Sequence, residues 1–232
     1  MGKNTKIRAG KIGYLAINLL FVCMLIAQPA SAKVPSVSPF KLLSIPILGL
    51  TVDPSHRPTG VVSYVVLHFQ DRGDQEGLRL RFQTLPGKFS PLAQHAVKLA
   101  IERVAAFANL GSNSWTVGLT FPYPGMTLYG NSLSAMVGLS VVALAKGESP
   151  IYGRSITGTI TEDGRIGTVG GVPQKIYGAH QHLNRVFIPD ENNITDGDWS
   201  IPFLMHVSPV NTVEKAYRGL TGHRLGLSPI LP

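Results

Sequence analysis

Two side chains in this sequence, Ser132 and Lys175, are of types and in settings that together could hydrolyse an acyl bond without metal or cofactor. Ser132 follows Gly130-Asn131 and opens a long apolar run that ends at Lys146. Lys175 follows Gly170-Gly171-Val172-Pro173-Gln174, at the start of another helical stretch. A hydroxyl becomes a nucleophile when a base takes its proton, and a serine–lysine pair can do so without histidine. An ordinary lysine keeps its proton up to ~10.4, about three units above neutrality. It serves as a base only if burial, aided by the positive end of a helix, drives that value down. The same end of a helix offers unpaired N–H groups to a developing oxyanion. Taken singly, Ser132 reads as a helix cap and Lys175 as a solvated surface group. The case for chemistry therefore rests on the segments that carry them.

Those segments read as one α+β domain. Residues 60–70 are β-branched and apolar on both faces, the pattern of a central strand. Asp71-Arg72-Gly73-Asp74 predicts a turn, and 77–84 a strand returning beside it. Residues 91–110 carry Val97, Ile101, Val104 and Ala108 at helical spacing, with Gly111 as the stop. A strand over 115–121 and a Pro- and Gly-punctuated loop over 122–130 lead to Ser132. The helix predicted over 132–146 is apolar nearly all round, hence central and buried, with Gly147 ending it. Residues 155–161 and 165–169 flank Glu162-Asp163-Gly164 as a hairpin. Pro173 suits the first turn of a helix running to about 183. Strands over 185–189 and 203–207 follow, and Asn211-Thr212-Val213-Glu214 reads as a capping box opening the last helix.

At 232 residues there is room for one ordinary domain with a terminal extension. Of the formal charge of +8, Lys3, Lys6, Arg8 and Lys11 lie before residue 33, where there is no acid. The remainder has no run of basic residues interleaved with aromatics, which argues against nucleic-acid binding. Arg79 and Arg81 alternate with Leu78, Leu80 and Phe82, as on the wet face of a strand. The basic start, the uncharged stretch 12–27 and Pro29-Ala30-Ser31-Ala32 predict a signal peptide over 1–32, with an uncleaved membrane anchor as the alternative. The expected location is exported, periplasmic or extracellular. Cys23, the one cysteine, falls inside this segment, so a chain from Lys33 would have no disulfide and no thiol nucleophile. Residues 33–56, rich in Pro and Ser, read as an extended arm or linker. The domain is expected over 57–225 and a C-terminal tail over 226–232. His68 reads as a hydrogen-bonded interior residue. His180 and His182, two apart on a helix, point in different directions, and no cluster of Cys, His and carboxylates predicts a metal. Gly130-Asn131-Ser132-Leu133-Ser134 lacks the final glycine of a Gly-x-Ser-x-Gly elbow and follows a loop where a strand is needed.

Residues 130–192 resemble the proteolytic domain of Lon proteases. The family's serine setting, Gly-Pro-Ser-Ala-Gly or Gly-Asp-Ser-Ala-Ser, is matched by Gly130-Asn131-Ser132-Leu133-Ser134. Its Thr-Gly-Glu-Ile/Leu strand is matched by Thr157-Gly158-Thr159-Ile160, and its Gly-Gly-(Leu/Val)-x-x-Lys signature by Gly170-Gly171-Val172-Pro173-Gln174-Lys175. Ile188-Pro189-Asp190-Glu191-Asn192 matches a further element. The match runs without a gap from Ser132 to Lys175, and that register selects Ser132 over Ser134. The resemblance implies a single Lon-type proteolytic domain with mixed sheets packed on helices, Ser132 as nucleophile, Lys175 as base, and Thr157 holding the lysine. It implies an endopeptidase acting on unfolded proteins or peptides, and a homo-oligomeric ring. Asn131 and Leu133 depart from the pattern, and no Gly-x-x-x-x-Gly-Lys-(Ser/Thr) phosphate loop occurs. The expectation is therefore ATP independence and no cofactor, with any unfolding left to a separate unfoldase or adaptor. The competing expectation is a non-catalytic ring-forming or peptide-binding scaffold of the same fold.

Overall fold

A computed structural model of the protein describes residues 39–84, 86–193 and 202–226, all within one compact unit. The signal segment expected over 1–32 and the tail beyond Gly226 lie outside the described residues. Among those described, no helix is long and apolar enough to cross a membrane.

The main sheet has the strand order β1-β2-β5-β3, formed by β1 (Lys41–Val52), β2 (Pro58–Asp71), β5 (Trp115–Phe121) and β3 (Arg79–Thr84). Two expectations are corrected here. The segment 33–56 is not an arm throughout: from Lys41 it is a twelve-residue strand paired antiparallel with β2 along its whole length, Lys41 opposite Phe69 and Val52 opposite Pro58. Its Ile45 and Ile47 alternate inward with Pro46 between them, and an edge strand tolerates that proline. Strand β3 does not return beside β2; it pairs parallel with β5, which lies between them. Asp71–Asp74 is a short local turn, and register is decided by which inward residues meet the core.

Helix α2 (Ser134–Lys146) packs on β1 and β2 of this sheet, and helix α1 (Pro91–Phe107) packs on α2; both share one core with Ile45, Val65, Leu67 and Leu119. Residues 134–144 of α2 are all buried, as an all-round apolar helix requires. A Cβ at Gly138 would lie 2.9 Å from the Ala100 carbonyl carbon, so the two helices cross backbone against backbone. Helix α1 ends at Phe107 with Ala108 as its cap, and the left-handed residue after it is Asn109 (φ +56°), not the expected Gly111.

A second sheet is parallel, in the order β11-β10-β7, from β7 (Arg154–Ile156), β10 (Arg185–Pro189) and β11 (His206–Val210). Phe203 and Leu204, expected in the last strand, are exposed before it. The hairpin around Glu162-Asp163-Gly164 is shorter than expected: β8 (Thr159–Ile160) pairs with β9 (Ile166–Gly167), while β7 leaves for the second sheet at Thr157. A short parallel ribbon joins β4 (Lys88–Phe89) to β6 (Thr127–Leu128). Helix α3 spans Val172–Ala179, ending before the expected 183. Helix α4 spans Val213–Thr221 with Thr212 as cap, its hydroxyl accepting from Lys215 N at 3.3 Å. The cap thus falls one residue after the expected Asn211. His68 is half-buried, with Nε2 3.3 Å from Thr120 Oγ1.

Candidate active site

Lys175 owes its place to two glycines. A Cβ at Gly60 of β2 would stand 1.8 Å from the Gln174 carbonyl oxygen and 3.0 Å from Lys175 Cα. A Cβ at Gly178 of α3 would stand 2.2 Å from the Gly60 carbonyl oxygen. Helix α3 therefore lies backbone to backbone on β2, closer than any side chain permits. Its Val172, Ile176 and Ala179 pack with Leu48, Val186 and Ile188 in a second, smaller core. Lys175, four residues after the Gly171 cap (φ +66°), closes the first turn by donating its N–H to Gly171 O at 3.0 Å. Its side chain is 3% exposed and has no carboxylate partner among the described residues. Burial consequently lowers its pKa to about 8, since desolvation penalises the ammonium form. The amine donates to Thr157 Oγ1 at 3.2 Å.

Thr157 is itself held from the backbone. Its N–H donates to Phe187 O at 3.1 Å, tying the end of β7 to β10. The next residue, Gly158, donates to Ser132 O at 2.9 Å and accepts from Ala135 N at 3.2 Å. The threonine that touches the lysine is thus continuous with the backbone clamp on the serine. Ser132 does not open α2 as expected. It sits in a turn closed by Ser134 N donating to Asn131 O at 3.0 Å, and the helix begins at Ser134. The N–H groups of Ser132 and Leu133 have no acceptor among the described residues.

Ser132 and Lys175 line one groove of about 400 Å³, with Tyr129 to Leu133 on one side, Val169 to Gly171 on another, and Ile47 to Leu50 of β1 as the remaining wall. Ser132 is half-buried. No hydrogen bond joins its Oγ to Lys175 Nζ among the described residues. Ser134, by contrast, is 1% exposed, and its Oγ is buried without a partner. All three residues singled out from the sequence thus meet at or beside this groove. The β1 wall was missed, because a Pro- and Ser-rich lead-in hid the alternation of Leu43, Ile45 and Ile47. His180 lies elsewhere, its Nδ1 2.7 Å from Tyr177 O. Larger cavities exist; one of about 710 Å³ beside Phe82, Phe89 and Phe121 contains none of the three residues.

A family model, the Lon protease (S16) C-terminal proteolytic domain, matches residues 115–217. The match runs from β5 into α4 and includes Ser132, Thr157 and Lys175. No curated protein matches the chain closely enough to name as a relative. A buried Lys175 and a half-buried Ser132 lining one groove agree with that match, and over residues 115–217 the chain is similar to the proteolytic domain of the Lon protease (S16) type, the domain of a serine peptidase.

Proposed function

We propose that the protein is an ATP-independent endopeptidase that hydrolyses unfolded proteins or peptides with Ser132 as nucleophile and Lys175 as general base. The observation that carries the reading is a lysine residue only 3% exposed, its amine pKa brought down by burial to about 8, lining the groove that holds Ser132. A structural lysine has no reason to be kept there without a carboxylate. The neutral amine uses one N–H on Thr157 Oγ1, which leaves its lone pair free to take a proton.

Ser132 Oγ adds to the carbonyl carbon of the scissile bond as its proton passes to Lys175 Nζ. The N–H groups of Ser132 and Leu133, without an acceptor among the described residues, are the donors this reading assigns to the oxyanion. The C–N bond then breaks, and Lys175 returns the proton to the leaving amine. Water, deprotonated by the same lysine, opens the acyl-enzyme ester and releases Ser132. A groove of about 400 Å³ has room for a short stretch of extended chain and not for a folded domain. Unfolding would fall to a separate unfoldase or adaptor. The basic and apolar N-terminal segment supports export to the periplasm or exterior, or anchorage to a membrane if it stays uncleaved. A homo-oligomeric ring belongs to the same proposal.

One observation favours a scaffold instead: no hydrogen bond joins Ser132 to Lys175 among the described residues. Apo geometry of this kind often tightens only when substrate binds. Turnover of casein and of a fluorogenic peptide separates the two readings. Ser132→Ala and Lys175→Ala are each expected to lower kcat by on the order of a thousandfold or more. Unchanged turnover in both variants would refute the dyad, and a wild type without turnover would favour the scaffold.

A further inference from the structure

We propose that Ser90 is a positioning residue for the Ser132 nucleophile, setting the path of the loop that delivers it. This rests on the reading of Ser132 given above. The Ser90 hydroxyl is spent twice. It accepts from Ala93 N at 3.1 Å, capping α1, and it donates to Tyr129 O at 2.7 Å. Its own N–H donates to Leu128 O at 2.8 Å. One buried residue, 7% exposed, therefore grips two successive carbonyls just upstream of the nucleophile.

Downstream, the Ser132 carbonyl is gripped by Gly158. Between these holds, Gly130 is open: a Cβ there would meet nothing nearer than Ser132 Oγ at 3.8 Å. The loop from Tyr129 to Ser132 is thus a short bridge clamped at its ends, with open space at Gly130 and the Asn131 carbonyl held only locally by Ser134 N at 3.0 Å. Ser132 Oγ has no hydrogen-bond partner of its own among the described residues. Its direction is set by the backbone, and the upstream end of that backbone is set by Ser90. The same hydroxyl joins helix α1, packed on α2 in the main core, to the loop, so the nucleophile takes its position from that core.

The two bonds can be separated chemically. Alanine at 90 loses both. Aspartate keeps an acceptor for Ala93 N, since it is a good helix cap, but has no proton for Tyr129 O. Threonine keeps both. If Ser90 only capped α1, aspartate would lower stability by burying its carboxylate but would leave turnover by the folded protein unchanged. As a positioning residue, it must also donate.

The test uses the full chain carrying Ser90→Ala, Ser90→Asp or Ser90→Thr. Thr212→Ala removes the cap of the remote α4 and controls for lost stability alone. Amide hydrogen exchange over residues 128–134 and peptide turnover are both read. Expected are faster exchange in that segment and a kcat lowered by about tenfold, with KM within about twofold, in the alanine and aspartate variants. A misplacement well under 1 Å is enough for such a loss. Ser90→Thr is expected to restore both, and Thr212→Ala to leave both unchanged. Wild-type exchange over 128–134 in Ser90→Asp would overturn the proposal, as would wild-type kcat. The exchange readout needs no turnover. An inactive wild type whose loop still loosens in Ser90→Asp would sink the peptidase reading and leave the clamp standing.

Discussion

Lys175 donates to Thr157 from inside a groove wall, so its charged form gives up most of its hydration for one neutral hydroxyl. The sign of the resulting pH dependence follows directly. Below about 8 the amine is protonated in both the folded and the unfolded chain, and the folded state bears the full penalty of burying a cation. Between about 8 and 10.5 the unfolded chain still holds a proton that the folded chain has released, so stability rises with pH. Lys175→Met should therefore unfold at higher urea than wild type at pH 7. The gain should be about 3 kcal/mol, the cost of holding a proton on an amine whose pKa has fallen from 10.5 to about 8, and should shrink by pH 10. A gap that widens with pH would contradict the assignment. Activity should rise with pH through about 8 as the amine becomes a base. A profile that only falls over this range would remove Lys175 from that role. Ser134 offers the contrast. Its hydroxyl is buried without a partner, so Ser134→Ala should keep activity and gain up to about 1 kcal/mol in a denaturant melt. Loss of turnover there would move the nucleophile two residues on.

The contact of α3 with β2 is where an element places the chemistry. Gly60 and Gly178 let the helix settle against the strand, and the depth of Lys175 depends on that fit. Gly60→Ala would drive a methyl into the Gln174 carbonyl, which backbone cannot sidestep as a flexible side chain could. The helix must lift, exposing the amine and raising its pKa toward the ordinary lysine value. Expected are a loss of about 1–3 kcal/mol in stability and a fall in kcat, with the rise of activity shifted to higher pH. A pH profile left unchanged in a folded Gly60→Ala protein would show that the approach of α3 does not set the lysine.

Across the whole molecule, the groove draws on segments far apart in the chain. β1 supplies one wall, the loop before α2 another, and the segment leading into α3 the third. β1 is also half of the longest pairing in the main sheet and buries Ile45, Ile47 and Leu48. A chain beginning at Pro35 should therefore melt and cleave peptide as the full chain does, whereas one beginning at Asp53 should fail to fold cooperatively. Circular dichroism and thermal melts of the two truncations check this. A cooperative melt in the shorter chain would return 33–56 to the status of an arm.

Much of the fold was readable from local pattern, because those signals need only neighbouring residues. The apolar alternation of 115–121, the all-round apolar run of α2, the left-handed stop at Gly147 and Pro173 in the first turn of α3 are of this kind. The register from Ser132 through Thr157 to Lys175 could likewise be read, since the motif spacing carries it. Pairing could not. Whether β3 lies beside β2 or beyond β5, and whether 41–52 is a strand at all, depends on which partner offers a free edge and an apolar face, and that is settled between segments distant in sequence. The depth of Lys175 belongs to the same class. Its desolvation is the work of a strand and a helix more than a hundred residues apart, brought together through two missing side chains.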